Sequence, residues 1–149
     1  MRTKLTLAFL IVIVSSLLVI NEVEAQEQEK PHVFVVTTWK STMPHNGTTA
    51  ERDSLLMLWH NNVTMKNDLI LSVQNFKHGY GSDLRDWVVV VEFAEWAHIT
   101  EAAEKDTELA KNFWKTDEEM QEFWKKFLKY WDTHSDEIYW DVPEFNKGR

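Results

Sequence analysis

Residues 78–86 form a short polar stretch that holds several side chains able to do chemistry. His78 could act as a general acid or base, because imidazole has its unperturbed pKa nearest neutrality. Arg85 could hold a carboxylate or an enolate in a bidentate grip, and Tyr80 could orient a phenol or carbonyl group. The alternative is structural: Arg85 would pair with Asp86, Asp136 or Glu137, and His78 would only end a strand at the surface.

A second polar stretch covers residues 134–139. Tyr139 could also orient a ligand, while His134, Asp136 and Glu137 have side chains suited to zinc or non-haem iron. Their spacing is not diagnostic of a metal site. The alternative is a helix C-terminus followed by a turn, where the helix dipole favours a cation at His134.

Gln74 and Glu92 are polar positions inside otherwise apolar predicted strands. If both face a pocket, Glu92 would be a desolvated carboxylate with a raised pKa, which is the kind of group that abstracts a proton. The alternative is a sheet edge or a pairing with Lys or Arg. The sequence therefore offers two candidate catalytic residues, His78 and Glu92, and four candidate ligand-binding residues, Tyr80, Arg85, Gln74 and Tyr139.

The composition of the chain excludes several classes of function. Its 149 residues contain 16 Lys and Arg against 24 Asp and Glu, a formal net charge of −8. A net-acidic chain without a basic cluster is a poor nucleic-acid binder, because phosphate neutralisation needs clustered cations. The absence of cysteine excludes disulfides, thiolate metal sites and cysteine nucleophiles.

The N-terminal residues 1–25 have the pattern of a secretory signal peptide, with two basic residues, an apolar run and a small residue before the cut. Cleavage is expected between Ala25 and Gln26, and the alternative is an uncleaved membrane anchor. The mature protein would be secreted or periplasmic, without stable membrane association. Asn46 and Asn62 begin glycosylation tripeptides, which matter only in a eukaryotic secretory pathway.

The elements that must position these side chains follow from periodicity and capping signals. Residues 26–31 are a polar lead-in, and residues 32–149 are expected to form one domain. Two capping boxes start helices at Thr48 and Thr116. Strands are predicted at 32–40, 69–77, 87–93 and 137–142, and helices from Thr48 to about Asn67, over 99–113, and from Thr116 through Trp131.

The predicted strands are apolar at both odd and even positions, as in Val88–Val91. A sheet with one wet face should alternate apolar and polar residues. Both faces therefore look covered. Since the helices can cover only one of them, this pattern favours a homodimer.

The order β-α-β-β-α-α-β over about residues 32–145, with the third helix as an addition, resembles the ferredoxin-like βαββαβ unit of the dimeric α/β-barrel superfamily. Residues 78–86 and 134–139 resemble segments of small exported bacterial members of this type. The resemblance implies an α+β fold, a homodimer and a pocket between sheet and helices. The superfamily includes enzymes that work without a cofactor as well as haem-binding ones. No cofactor is predicted here. The alternatives are a divalent metal, or haem held by His60 or His98.

No catalytic motif of a named member of the superfamily matches this chain residue by residue, and a fold alone does not license a function. The sequence therefore leads to two hypotheses. The first is an exported small-molecule-binding protein that could be a cofactor-independent enzyme on an aromatic or carbonyl compound. The alternative is a non-catalytic homodimeric binding or stress-associated module.

Overall fold

The computed structural model describes residues 30–146, so the predicted signal peptide lies outside the described residues. Its strands are β1 (Val33–Ser41), β2 (Ser72–Lys77), β3 (Asp86–Phe93) and β4 (Trp131–Trp140), and its α-helices are α1 (Thr49–Asn62), α2 (Ala97–Phe113) and α3 (Asp117–Leu128). Short 3₁₀ turns follow at Thr64–Lys66 and Pro143–Phe145. No helix within residues 30–146 has both the length and the apolar character needed to cross a bilayer.

The four strands form one antiparallel sheet in the order β2-β3-β1-β4. The central pair is in register with Val36 opposite Val90, and β4 adds to the outer side of β1 with Val36 opposite Glu137. This strand order, with α1 between β1 and β2 and α2 between β3 and β4, is ferredoxin-like. Helix α3 is the added element before β4, so the α+β fold predicted from the sequence is confirmed.

Alternation along β3 gives the sheet two different faces, because successive side chains of a strand point to opposite sides. Trp87 lies under Arg52 of α1, with the guanidinium carbon 5.1 Å from the ring centroid. We call this side the helix face. The opposite side, the open face, is made by one set of side chains from all four strands: Phe34, Val36, Thr38 and Lys40; Ser72, Gln74 and Phe76; Asp86, Val88, Val90 and Glu92; and Ser135, Glu137 and Tyr139.

Aromatic side chains form the core between the helices. Phe123 of α3 is buried against Trp114, with ring centroids 4.5 Å apart, and Trp59 of α1 stacks on Trp114 at 6.0 Å. Trp124 lies 5.0 Å from Trp59, and buried Val63 and Ala110 complete the cluster. Trp59 and Trp124 are partly buried and pack against this buried cluster.

The N-terminus of α1 is capped as predicted, but with an additional partner. The amide of Glu51 donates to the Thr48 hydroxyl at 3.1 Å. The Glu51 carboxylate does not bond the Thr48 amide directly. Instead, the fully buried Tyr130 accepts a hydrogen bond from that amide at 3.1 Å and donates its hydroxyl proton to Glu51 at 2.5 Å. Tyr130 thus joins both halves of the capping box.

The predicted end of the third helix is wrong. Helix α3 ends at Leu128, and Trp131 begins β4 instead of continuing the apolar helix stripe. The physical reason is tertiary: the Tyr130 carbonyl accepts a hydrogen bond from the Thr42 amide at 2.8 Å, and Lys129 binds Glu51 at 2.9 Å. These contacts draw the chain out of the helix.

Candidate functional site

A cavity of about 150 Å³ opens at the end of the sheet where β1 stops and β3 begins. The end of β1 supplies Ser41, the β1–α1 connection supplies Thr42 and Met43, and α1 supplies Arg52. The other wall comes from the end of β2, the β2–β3 loop and the start of β3: Lys77, Leu84, Arg85, Asp86 and Trp87. Two loops distant in sequence therefore meet around one small space.

Arg52 lies within this cavity lining and is only 6% exposed. Its Nε and Nη2 both donate to Oδ1 of Asp53, at 2.9 and 2.7 Å, and its Nη1 donates to the Ser41 hydroxyl at 3.4 Å. A guanidinium carries five N–H donors. Two of those donors have no hydrogen-bond partner among the residues that the structure describes, which leaves them able to bind an anion.

Arg52 was not among the site residues predicted from the sequence. A signal was present: Leu55, Leu56 and Trp59 follow Arg52 at i+3, i+4 and i+7. This spacing places Arg52 on the same helix face as these residues. A cation on such a face must be paired or must serve a ligand, because an unpaired buried charge is costly.

Arg85, a predicted ligand-binding residue, lies on the same cavity with an exposed side chain. Its Nε and Nη2 donate to the two carboxylate oxygens of Asp83 at 3.0 and 2.9 Å, and Asp132 lies 3.8 Å away. The Arg85 side chain, helped by its backbone amide and by Lys40, holds the pKa of Asp83 far below its usual range. Arg85 thus forms an ion pair, as the alternative predicts, but its partners are Asp83 and Asp132 and the predicted partners Asp86, Asp136 and Glu137 are wrong.

The other two predicted residues of the loop, His78 and Tyr80, lie beside the cavity and are not among its lining residues. His78 Nδ1 is 3.6 Å from Asp86, and its Nε2 is 2.5 Å from the Tyr80 carbonyl oxygen. Gly81 has φ +146°, and a Cβ there would be 2.5 Å from His78 Nε2. Asp86 also binds Lys40, whose pKa is raised first by Asp86 and then by Asp83. The Tyr80 side chain is almost fully exposed.

Glu92, the second candidate catalytic residue, lies at the far end of β3. Its carboxylate accepts a hydrogen bond from Ser72 at 2.5 Å and lies 2.6 Å from Nδ1 of His32. Six residues of strand separate Glu92 from Asp86, which corresponds to roughly 20 Å. The structure therefore does not bring Glu92 and His78 into one site.

Gln74 and Tyr139 lie on the open face, on the two edge strands of the sheet. Gln74 is opposite Val90 and Tyr139 is opposite Phe34. Three strand spacings separate the edge strands, which is roughly 14 Å. Of the six predicted site residues, the structure places only Arg85 in the cavity lining.

The alternative metal set lies on β4 rather than in a turn after a helix, which corrects the expected position of His134. His134 stacks on Trp39 with centroids 4.2 Å apart, and Asp136 accepts a hydrogen bond from Thr37 at 2.6 Å. Strand alternation sends Glu137 to the other face of the sheet. Within residues 30–146, no three His, Asp or Glu side chains are grouped so that they could hold a metal ion.

The strand order and the placement of the helices define the fold as a ferredoxin-like α+β domain. Solved structures share the fold at low sequence identity. A candidate antibiotic biosynthesis monooxygenase from Caulobacter crescentus CB15 aligns with a TM-score of 0.50 and 12% identity, over 76% of this chain and 92% of that one.

Two further structures agree with it. A NIPSNAP domain protein of uncharacterised function from Burkholderia xenovorans has a TM-score of 0.50 at 11% identity, over 78% of this chain and 99% of its own. A conserved protein from Methanosarcina mazei Go1 has a TM-score of 0.50 at 12% identity, over 75% of this chain and 94% of its own. No protein-family model and no curated protein matches the sequence. At such identities the likeness shows the fold alone.

Proposed function

We propose that this protein is an exported small-molecule-binding protein whose ligand enters the cavity between the β1–α1 connection and the β2–β3 loop. The observation that carries the proposal is Arg52: a 6% exposed guanidinium, stacked over Trp87 in the lining of a cavity, with two N–H groups unused by the described residues. Asp53 pairs the charge of Arg52, but a buried guanidinium is costly when some of its N–H donors stay without a partner. A ligand that completes its hydrogen bonds would repay part of that cost.

An enzymatic role without a cofactor is the finer form of this proposal. His78 and Glu92 would not act as a joint acid and base, since roughly 20 Å of β3 separates their surroundings. His78 is the nearer of the two to the cavity, through its contact with Asp86. This separation favours the non-catalytic binding module over the enzyme.

The proposal includes a homodimer in which a second copy covers the open face. The middle of that face carries Val36, Val88 and Val90. Its edge strands carry Phe76 at 50% and Tyr139 at 53% exposure, beside the polar Gln74 and Glu137. An apolar sheet centre with exposed aromatic residues on both sides is typical of an interaction surface. An isologous pairing would place the same valines against each other.

Native mass spectrometry on the protein exported with its own signal peptide, and purified without added metal, tests the proposal. The expected result is a dimer that starts at Gln26 and carries a bound small molecule. A His78→Ala variant that keeps the dimer and the bound mass would support binding without a role for His78. An Arg52→Met variant that still carries the same bound mass would contradict the proposed site.

A further inference from the structure

We propose that the cavity takes a small organic acid, whose carboxylate binds between Arg52 and Arg85 and whose apolar body is no larger than about one aromatic ring. This inference rests on the proposed function and names its ligand class. Three observations carry it: the volume of the cavity, the signs of its charges and the positions of its apolar side chains.

The volume sets the size of the ligand. A drug-sized ligand needs a pocket of roughly 300–1,000 Å³, whereas this cavity measures about 150 Å³. A cavity of about 150 Å³ is enough for benzene in a protein interior. A single ring or a short aliphatic chain therefore fits, and a multi-ring compound does not fit within the cavity walls.

The charges set the sign of the ligand. Three cations line the cavity, Arg52, Lys77 and Arg85, and Asp86 is the one carboxylate among the lining residues. Arg52 and Arg85 are already paired outside the lining, with Asp53 and Asp83, so a ligand would bind the N–H donors that these carboxylates leave. Asp86 is itself bound by Lys40 on the open face. Both arginines between residues 30 and 146 are among these cations. Guanidinium groups bind planar carboxylates in a bidentate geometry, which favours an organic acid over a neutral compound.

The apolar side chains account for the body of the ligand. Met43 is 45% exposed and Leu84 is 62% exposed, although both line the cavity. One belongs to the β1–α1 connection and the other to the β2–β3 loop, so they come from different walls. A ring bound with its carboxylate towards the arginines would cover these two side chains, and this burial would contribute to binding.

A matched pair of probes tests the ligand class. Benzoate and benzyl alcohol share the ring and differ in charge, so each is titrated into the mature protein while NMR follows the indole N–H of Trp87 and the Nε–H groups of Arg52 and Arg85. We expect benzoate to bind with a dissociation constant of about 0.1–1 mM, since a ligand of this size has few atoms to contribute. Benzyl alcohol should bind at least about tenfold more weakly, because it lacks the charge.

Variants locate the carboxylate. Arg85→Met should weaken benzoate binding about tenfold or more, and so should Arg52→Met, while the exposed Lys111→Met on α2 serves as the charge-matched control and should change nothing. Asp53→Asn should tighten binding by several-fold, since Asp53 competes for the Arg52 guanidinium. If Arg52→Met does not fold, Arg85→Met decides, because its exposed side chain is not part of the core.

The failures of the two proposals are distinguishable. Equal affinity for benzoate and benzyl alcohol, or benzoate binding unaffected by Arg85→Met, would overturn the organic acid and leave the small-molecule cavity standing. If neither probe binds at a concentration tenfold above the expected dissociation constant, the organic-acid proposal is also overturned. The mass bound to the exported protein then decides the proposed function separately.

Discussion

The two faces of the sheet are built from alternating residues of the same strands, yet they differ in almost every physical respect. In β3, Trp87 faces the helices and contacts Arg52 beside the cavity, whereas Val88 and Val90 face away from them. The helix face combines indoles and a cation with a small open cavity at its end. The open face combines β-branched side chains with exposed aromatic neighbours. In our proposals, one run of residues therefore serves a ligand on one side of the sheet and a partner on the other.

This difference separates the effects of substitutions into two kinds. Changes beneath or between the helices should act on the unfolding of a single subunit, because their contacts are made within the chain. Changes on the open face should act on association. A substitution between the helices that changed association, or one on the open face that changed the unfolding of a single subunit, would contradict this difference between the faces.

The largest effect is expected for Phe123→Ala in the aromatic core. Phe123 is buried against Trp59, Trp114, Trp124 and Phe127. Removing it should lower the free energy of unfolding by about 3–5 kcal/mol, the usual cost of a large cavity in a core. Urea denaturation at several protein concentrations measures it.

The matched control for this change is Phe76→Ala on the open face, where half of the ring is exposed. It should lower the free energy of unfolding of a single subunit by less than about 1 kcal/mol, because the Phe76 ring removes little area from water. Its effect on a dimer should instead depend on protein concentration. Equal, concentration-independent losses for both variants would show that the two faces are not distinct.

The next effect is expected for Val90→Glu, at the centre of the open face. A charge without a partner in an apolar interface costs about 3 kcal/mol or more, which corresponds to a loss of dimer affinity of at least about 100-fold. Sedimentation should then give the mass of one subunit with unchanged helical circular dichroism. Lys111→Gln, which changes the net charge by the same amount on α2, should leave the mass alone. If the Val90→Glu variant is still a dimer, the open face is not the dimer interface.

Local signals in the sequence were sufficient for much of the fold. Four consecutive valines predict β3, since β-branched side chains favour a pleated strand, and the structure has Asp86–Phe93 there. The capping signals at Thr48 and Thr116 predict the starts of α1 and α3, and both hydroxyls accept the expected amide hydrogen bonds. In each case the information lies within a few neighbouring residues.

The predictions that were wrong depend instead on contacts between residues far apart in the sequence. The apolar stripe predicts a helix through Trp131, but hydrogen bonds from Lys129 and Tyr130 to Glu51, about eighty residues earlier, end it sooner. The cavity was missed for a related reason. Arg52 and Arg85 converge only through the sheet and α1, and periodicity cannot show which distant loops meet.

Tyr130→Phe should have a smaller effect, on the helix side of the sheet. The Tyr130 hydroxyl accepts from the Thr48 amide and donates to Glu51, so its loss leaves two groups without this partner. It is also the first cause, before Lys129, that lowers the pKa of Glu51. Thermal unfolding should show a loss of about 1–2 kcal/mol. Tyr139→Phe, on the exposed edge of the open face, is the control and should leave the stability of the subunit unchanged. An equal loss for Tyr139→Phe would contradict a specific role of the Tyr130 hydroxyl in capping α1.

The smallest effect, and one with a distinct pH signature, is expected for Asp106→Asn on α2. Burial raises the pKa of Asp106, although a hydrogen bond from Asn67 at 2.7 Å partly opposes it. The folded chain therefore binds this proton more tightly than the unfolded chain, and stability falls as the pH rises from the unfolded to the folded pKa. The asparagine keeps an acceptor for Asn67 and carries no charge, so it should stabilise the protein above that interval by less than about 1 kcal/mol.

Below the interval the two proteins should melt alike. A stabilisation that persists in acid would assign the gain to packing rather than to the charge, and a loss at neutral pH would mean that the ionised carboxylate stabilises the link between α2 and Asn67.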